Sequence, residues 1–227
     1  MSPVGIDPDQ YSTVFQPIID MDTDEVVGYE ALTRFKDGRA TDAHLATADS
    51  VPAAEEMERD MVTAALEAGY RLPESGAWIA VKVSSGALLG DPSIGQRVSC
   101  HDRPIWVEIP VPSSAGAAAR VRQARQELSS QTVIALEHVD VSDEALSTII
   151  DLRPHVIKLD VAVAAGLADD RDRQARLSDM LDVAAEGGYV VVASGIEAAA
   201  DRSVLAELGV YLGQGYLLGR PADVIDL

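Results

Sequence analysis

The stretch TVFQPIIDMDTDEVVGYEAL, Thr13–Leu32, decides the fold. Two β-rich runs, Thr13–Ile19 and Val26–Leu32, flank the aspartate-rich segment Asp20–Asp24. Such runs about a short polar turn read as an antiparallel hairpin. Beyond the hairpin the pattern changes. Short apolar runs follow at Trp78–Val83, Ile105–Ile109, Thr132–Leu136, His155–Leu159 and Tyr189–Ala193. Between them, apolar residues recur every three or four positions, as at Met57, Met61, Ala64, Ala65 and Ala68, or at Ala117, Val121, Ala124 and Leu128. The same spacing marks Leu146–Ile150, Leu177–Ala184 and Val204–Leu208, and places each apolar set on one helical face. Gly187–Gly188 and Gly209 stand where helix C-caps belong.

Repeated strand–helix units imply parallel strands with helices outside. With about seven or eight strands in one domain, the α/β class is expected as a closed (β/α) barrel of TIM type, with a doubly wound open sheet as the alternative. The domain is expected over 11–227, after an N-terminal tail at 1–10. Phe35–Val51 and Gly90–Arg103 read as surface loops.

Composition narrows the function. Aromatic residues make up 4% of the 227, so Ala, Val, Leu and Ile must build the core. The formal net charge of −19 disfavours nucleic acid and anionic membranes as partners. The lone Cys100 excludes an intrachain disulfide. No run of roughly 18 apolar residues spans a membrane, and MSPVGIDPDQ lacks the basic start and apolar run of a signal peptide. A cytoplasmic protein is the expectation.

Chemistry in such barrels collects where strands end. The strand exits carry Glu30, Lys82, Glu108, Glu137, Lys158 and Ser194, with Asp160 and Glu197 close behind. Two of the chain's three lysines, Lys36, Lys82 and Lys158, are among them. Carboxylates suit a hard divalent ion such as Mg²⁺. A protonated lysine cannot ligate and acts among carboxylates as a built-in cation.

Taken together, FQPIID (Phe15–Asp20), VVGYEALTRF (Val26–Phe35), VKVSSGALL (Val81–Leu89), WVEIP (Trp106–Pro110), IALEH (Ile134–His138), VIKLD (Val156–Asp160), VVVASGIE (Val190–Glu197) and LGQGYLLGRP (Leu212–Pro221) resemble the EAL-domain family of cyclic di-GMP phosphodiesterases. The resemblance implies a modified (β/α)8 barrel with an antiparallel first strand, and two divalent ions at its mouth in active members. It implies that Glu30 and Glu108 are metal-ligand positions and that Lys158 orients or deprotonates the attacking water. Arg34 and Gln214 match ligand-contacting and site-lining positions, and Glu197 matches a motif glutamate.

Other positions depart from the family. Active members carry Asn at Lys82, paired Asp residues at Glu137 and His138, and Glu at Val111 and Ser194. Their Phe-Gly-Thr-Gly-like loop reads Val139–Ser142 here, without glycine. These losses imply a degenerate member that needs no metal and serves as a cyclic di-GMP receptor or a regulatory protein-interaction module. In that reading Lys82 is expected to bridge Glu30 and Glu108, and Lys82, Arg34 and Gln214 to hold the ligand. The alternative is an active phosphodiesterase with an altered shell of Glu30, Glu108 and Glu137, using Mg²⁺ or Mn²⁺. The oligomeric state stays open, because the altered loop departs from the one through which family members pair. The chain begins directly at the barrel, so either a partner supplies its input or it is one domain of something longer.

Overall fold

The structure, a computed structural model, describes residues 8–48, 50–73, 76–128 and 132–227. Most of the expected N-terminal tail lies outside the described residues, and Pro8–Gln10 form a 3-10 turn. The hairpin is present as β1 (Tyr11–Asp20) and β2 (Glu25–Phe35). Its turn is made by Asp20, whose Oδ1 accepts from the N–H groups of Asp22 and Thr23, with Asp24 left-handed at φ 59°. Val27 is the extra residue of a bulge, since Ile18 pairs with Gly28 and Ile19 with Val26.

Six parallel strands follow: β3 (Trp78–Lys82), β4 (Ile105–Pro110), β5 (Val133–Val139), β6 (Val156–Leu159), β7 (Val190–Ala193) and β8 (Leu212–Gly213). They close into a barrel in chain order, and β1 pairs antiparallel with both β2 and β8. The fold is therefore the modified barrel, and the open sheet is excluded.

Helices alternate with the strands. α1 (Thr41–Leu45), α2 (Val51–Gly69), α3 (Ser85–Gly90), α4 (Pro92–Ser99) and α5 (Ala115–Glu127) come first. α6 (Asp143–Leu152), α7 (Val161–Ala164), α8 (Arg171–Gly187) and α9 (Ala199–Glu207) complete the ring. Two segments read from sequence as loops contain helices, α1 and α4. α4 is amphipathic over only eight residues, with Asp91 as its cap and Ile94 and Val98 buried. So short a repeat is hard to distinguish from a loop rich in Gly, Pro and Ser. Serine caps start several helices: Ser50, Ser84, Ser114 and Ser142 each accept from the N–H three residues on.

The two faces of the strands do different work. Outward residues such as Ile79, Val81, Val107, Ile109, Leu136, Ile157 and Leu159 pack beneath the helices against Val62, Leu66, Ile149, Leu177 and Leu205. Each fully buried side chain of this kind stabilises by about 1.5–3 kcal/mol. Inward residues begin apolar and end polar: Trp78, Ala80, Lys82 on β3; Trp106, Glu108 on β4; Val133, Ala135, Glu137 on β5; Val156, Lys158 on β6. Trp78 and Trp106 stack with centroids 3.5 Å apart at 9° and close the barrel floor. Gly28 makes room, because a Cβ there would meet the Trp78 ring at 2.3 Å.

Candidate active site at the barrel mouth

An apolar floor beneath an acidic ring makes charge pairing obligatory, since unpaired ions in such a place are strongly disfavoured. Lys158 on β6 provides the central contact. Its Nζ lies 2.8 Å from Glu108 Oε1, 3.0 Å from Glu108 Oε2 and 2.8 Å from Glu30 Oε2. This corrects the expectation for Lys82: the ammonium bridging Glu30 and Glu108 is Lys158. Lys82 projects from the end of β3, and its Nζ stands 3.0 Å from Glu137 Oε1 on β5. That contact is an ion pair without hydrogen-bond alignment.

Glu30 sits in the middle of β2, opposite Gln16 of β1, rather than at a strand end. Gln214, just past β8, donates to Glu30 Oε2 at 2.6 Å and to Gln16 Oε1 at 3.1 Å. Gln16 in turn donates to the carbonyl of Gly219 at 3.0 Å. The seam where β1 meets β8 is thereby tied to the acidic ring. Gln16 was missed as a site residue, although its alternation with the inward Ile18 carries the signal.

His138 adopts φ 59°, a left-handed conformation rare for a side chain of its size. Its Nε2 lies 3.4 Å from Lys82 Nζ and 3.8 Å from Glu137 Oε2, and its Nδ1 lies 3.3 Å from Asp160 Oδ2. Asp160 is the cap of α7, accepting from the N–H of Ala162 at 2.8 Å. Ser194 Oγ is buried at the mouth without a hydrogen-bond partner. Glu197 is exposed at the rim. Arg34 is also exposed and donates to the carbonyl of its neighbour Thr33.

Burial and charge set the protonation states. Burial disfavours charge on Lys158, but Glu108 and Glu30 outweigh it and hold the ammonium above the ordinary lysine range. Burial also raises Glu30, yet Lys158 and the hydrogen bonds from Lys158 and Gln214 leave it below the usual carboxylate value. Glu108 is different. Burial raises it, Lys158 offsets this only in part, and the charges of Glu30 and Glu137 push it further, to about 8. For Lys82, desolvation is overcome by Glu137, and its pKa is raised.

Two cavities open on this ring. One, of about 300 Å³, is lined by Gln16, Glu30, Glu137, Lys158, Ser194 and Gln214 among others. The other, of about 520 Å³, extends towards α1 and α2, with Arg34, Asp42, Glu58, Lys82 and Ser84 on its wall. Glu30, Glu137 and His138 border both. Asp42, Glu58 and Ser84 were not singled out from sequence: Asp42 and Glu58 lie in helices outside the quoted motifs, and Ser84 lies within VKVSSGALL as the cap of α3.

Oxygens of Glu30, Glu108 and Glu137 lie within 4.8 Å of one another. Three buried carboxylates of this kind could hold one hard divalent ion, provided that Lys158 Nζ, 2.8 Å from Glu30 and from Glu108, yields a share of their oxygens. They fit a second ion poorly, because Lys82 has no lone pair to offer and its ammonium already occupies the approach to Glu137.

Comparison with known proteins agrees with the fold. The EAL domain family profile matches residues 4–221. No curated protein matches the chain. Among solved structures, Klebsiella pneumoniae BlrP1 in complex with calcium and cyclic di-GMP superposes with a TM-score of 0.84 at 20% identity, over 98% of this chain and 58% of that one. BlrP1 with FMN and cyclic di-GMP and no metal ions gives 0.76 at 18% identity, over 99% and 56%. The FimX EAL domain of Pseudomonas aeruginosa bound to cyclic di-GMP gives 0.77 at 21% identity, over 95% and 92%. This chain thus spans little more than half of BlrP1.

Proposed function

The chain belongs to the EAL-domain family, and from that membership we propose that its barrel mouth binds cyclic di-GMP and hydrolyses one phosphodiester bond with an altered metal shell. The observation that carries this reading is the buried trio of Glu30, Glu108 and Glu137, with oxygens within 4.8 Å. Their combined charge exceeds what Lys158 and Lys82 neutralise, and after burial, the larger cause, the charges of Glu30 and Glu137 help to raise the pKa of Glu108. A divalent ion on these three carboxylates would acidify a bound water and neutralise phosphate charge.

The chain's own residues supply the remaining functions. Lys158, held charged with its three donors on Glu108 and Glu30, fixes those carboxylates in place; its raised pKa argues against a role as base. Gln214 fixes the carboxylate of Glu30. Arg34, on the wall of the larger cavity, has the planar fork that pairs with phosphate. In the reaction, water oxygen adds to phosphorus, one bond from phosphorus to ribose oxygen breaks, and the leaving oxygen takes a proton.

A second reading, a non-catalytic receptor or regulatory module, is favoured by one contact: Lys82 against Glu137 at 3.0 Å. BlrP1, a structural relative, has been solved with FMN and cyclic di-GMP and no metal ions, which supports a ligand-binding role that does not need metal.

Calorimetric titration of cyclic di-GMP in EDTA and in Ca²⁺, followed by a hydrolysis assay in Mn²⁺, separates the readings. Turnover in Mn²⁺ that disappears in Glu30→Gln supports the enzyme. Binding without turnover makes the chain a receptor. No binding in any condition overturns both ligand-based readings and leaves a protein-interaction role.

A further inference from the structure

The two ammonium groups of the mouth are not equivalent. Lys158 is 7% exposed, and its Nζ is shared among three carboxylate oxygens at 2.8, 2.8 and 3.0 Å. An ammonium has three N–H donors, so Lys158 as found is saturated. Lys82 is 38% exposed and lines the 520 Å³ cavity together with Arg34. Its contacts are one ion pair, with Glu137 Oε1, and a 3.4 Å approach to His138 Nε2. At least one donor therefore remains for a group entering from the cavity.

Charge counting leads to the same residue. Glu30, Glu108 and Glu137 carry −3 when ionised, and Lys158 with Lys82 carries +2, which leaves −1. One divalent ion brings the ring to +1, a match for a phosphodiester anion. A second ion would bring it to +3, and the Lys82 ammonium beside Glu137 offers it no ligand.

We propose that Lys82 is a resident cation of the mouth: it neutralises Glu137, donates to a phosphate oxygen of the cyclic dinucleotide, and leaves the three carboxylates room for one divalent ion only. The ligand named here rests on the function proposed above; the ion count does not. Because the ammonium is covalently fixed, part of the phosphate-binding charge persists when metal is removed.

The test combines two readouts on the whole chain. Mn²⁺ is titrated into wild type, Lys82→Asn and Lys82→Arg, with bound ions counted by electron paramagnetic resonance. Cyclic di-GMP is titrated into wild type, Lys82→Met and Lys82→Arg, in EDTA and in Mn²⁺. The wild type and Lys82→Arg are expected to take one Mn²⁺, and Lys82→Asn, which gains a neutral oxygen ligand, to take two. Lys82→Met is expected to lose about tenfold or more in cyclic di-GMP affinity, the scale of a hydrogen bond to a charged group, while Lys82→Arg stays close to wild type.

Zero or two ions in the wild type overturns the proposal without recourse to any variant. So does Lys82→Met binding the dinucleotide as tightly as wild type in both conditions. Wild type that takes one Mn²⁺ but no cyclic di-GMP overturns the ligand reading and with it the phosphate contact, while the ion count stands. Thermal melts of each variant separate loss of binding from loss of fold.

Discussion

Glu108 is 1% exposed, touches Lys158 through both oxygens, and still has its pKa raised to about 8 from an ordinary 4.5. The folded state therefore binds a proton that the unfolded chain releases between those values. Stability from this group is complete below about pH 4.5 and is lost as pH rises towards 8. Glu30 has the opposite sign, since its lowered pKa gives stability that is lost only as pH falls below 4.5. The raised lysines lose theirs only above the ordinary lysine value of 10.5, outside this window. His155, whose pKa burial and Arg125 lower from 6.5, acts the other way in this range, its stability being lost as pH falls. The test is therefore the difference between proteins: in urea unfolding in EDTA, the stability of wild type relative to Glu108→Gln is expected to decline from pH 5 to pH 8, and a difference that is constant or rises would refute this account of Glu108. At the same scale, Gln214→Ala leaves Glu30 without its 2.6 Å donor, and a loss of roughly 1.5–3 kcal/mol in the same measurement is expected.

At the scale of elements, β8 is the weakest strand by length and one of the most constrained by packing. It comprises Leu212–Gly213, yet it closes the barrel against β1 and β7. Gly215 follows two residues after it, and a Cβ there would lie 2.2 Å from both the backbone N and the carbonyl oxygen of Ile196. Backbone cannot swing aside as a side chain can. Gly215→Ala is expected to cost on the order of 3 kcal/mol and to move Gln214 off Glu30. Chemical denaturation checks the first effect, and weakened Mn²⁺ binding checks the second. The contrast with Gly38 is informative: a Cβ there meets nothing within 4 Å, although its φ of 76° still favours glycine. The sequence run GQGYLLGRP, Gly213–Pro221, marked this segment as part of a motif but gave no sign that a strand of two residues ran through it. Strand periodicity needs four or more residues to register.

For the whole molecule, barrel closure couples distant ends of the chain. The β1–β8 pairing, the Phe15–Ala222 bridge and the Gln16–Gln214 hydrogen bond all join the first described strand to the last segment. Removal of residues 212–227 is expected to abolish cooperative unfolding rather than merely lower the midpoint, because both β1 and β7 would become open edges. A sharp single transition in that truncated chain would show that the barrel tolerates opening. Metal binding acts at this scale as well. If Mn²⁺ binds the folded state alone, a concentration one hundred times its Kd adds about 2.7 kcal/mol, and the melting temperature should rise by roughly 2–4 °C per kcal/mol. EDTA should reverse the rise, and Glu30→Gln should lack it.

The sequence by itself determined the hairpin, the strand–helix alternation and the set of charged residues at the barrel mouth, because these depend on local periodicity and on residue type. Glu30, Glu108, Glu137 and Lys158 stood out in the linear chain as charges interrupting apolar runs. Which ammonium meets which carboxylate was decided only in three dimensions. Lys82 and Glu108 are register partners on neighbouring strands, but the closed barrel brings Lys158 from β6 across the interior to Glu108 and Glu30. Lys82 is left at the rim with Glu137, half exposed beside the larger cavity. Distances across a barrel follow from its closure, tilt and register acting together, and no stretch of chain shorter than the whole encodes them.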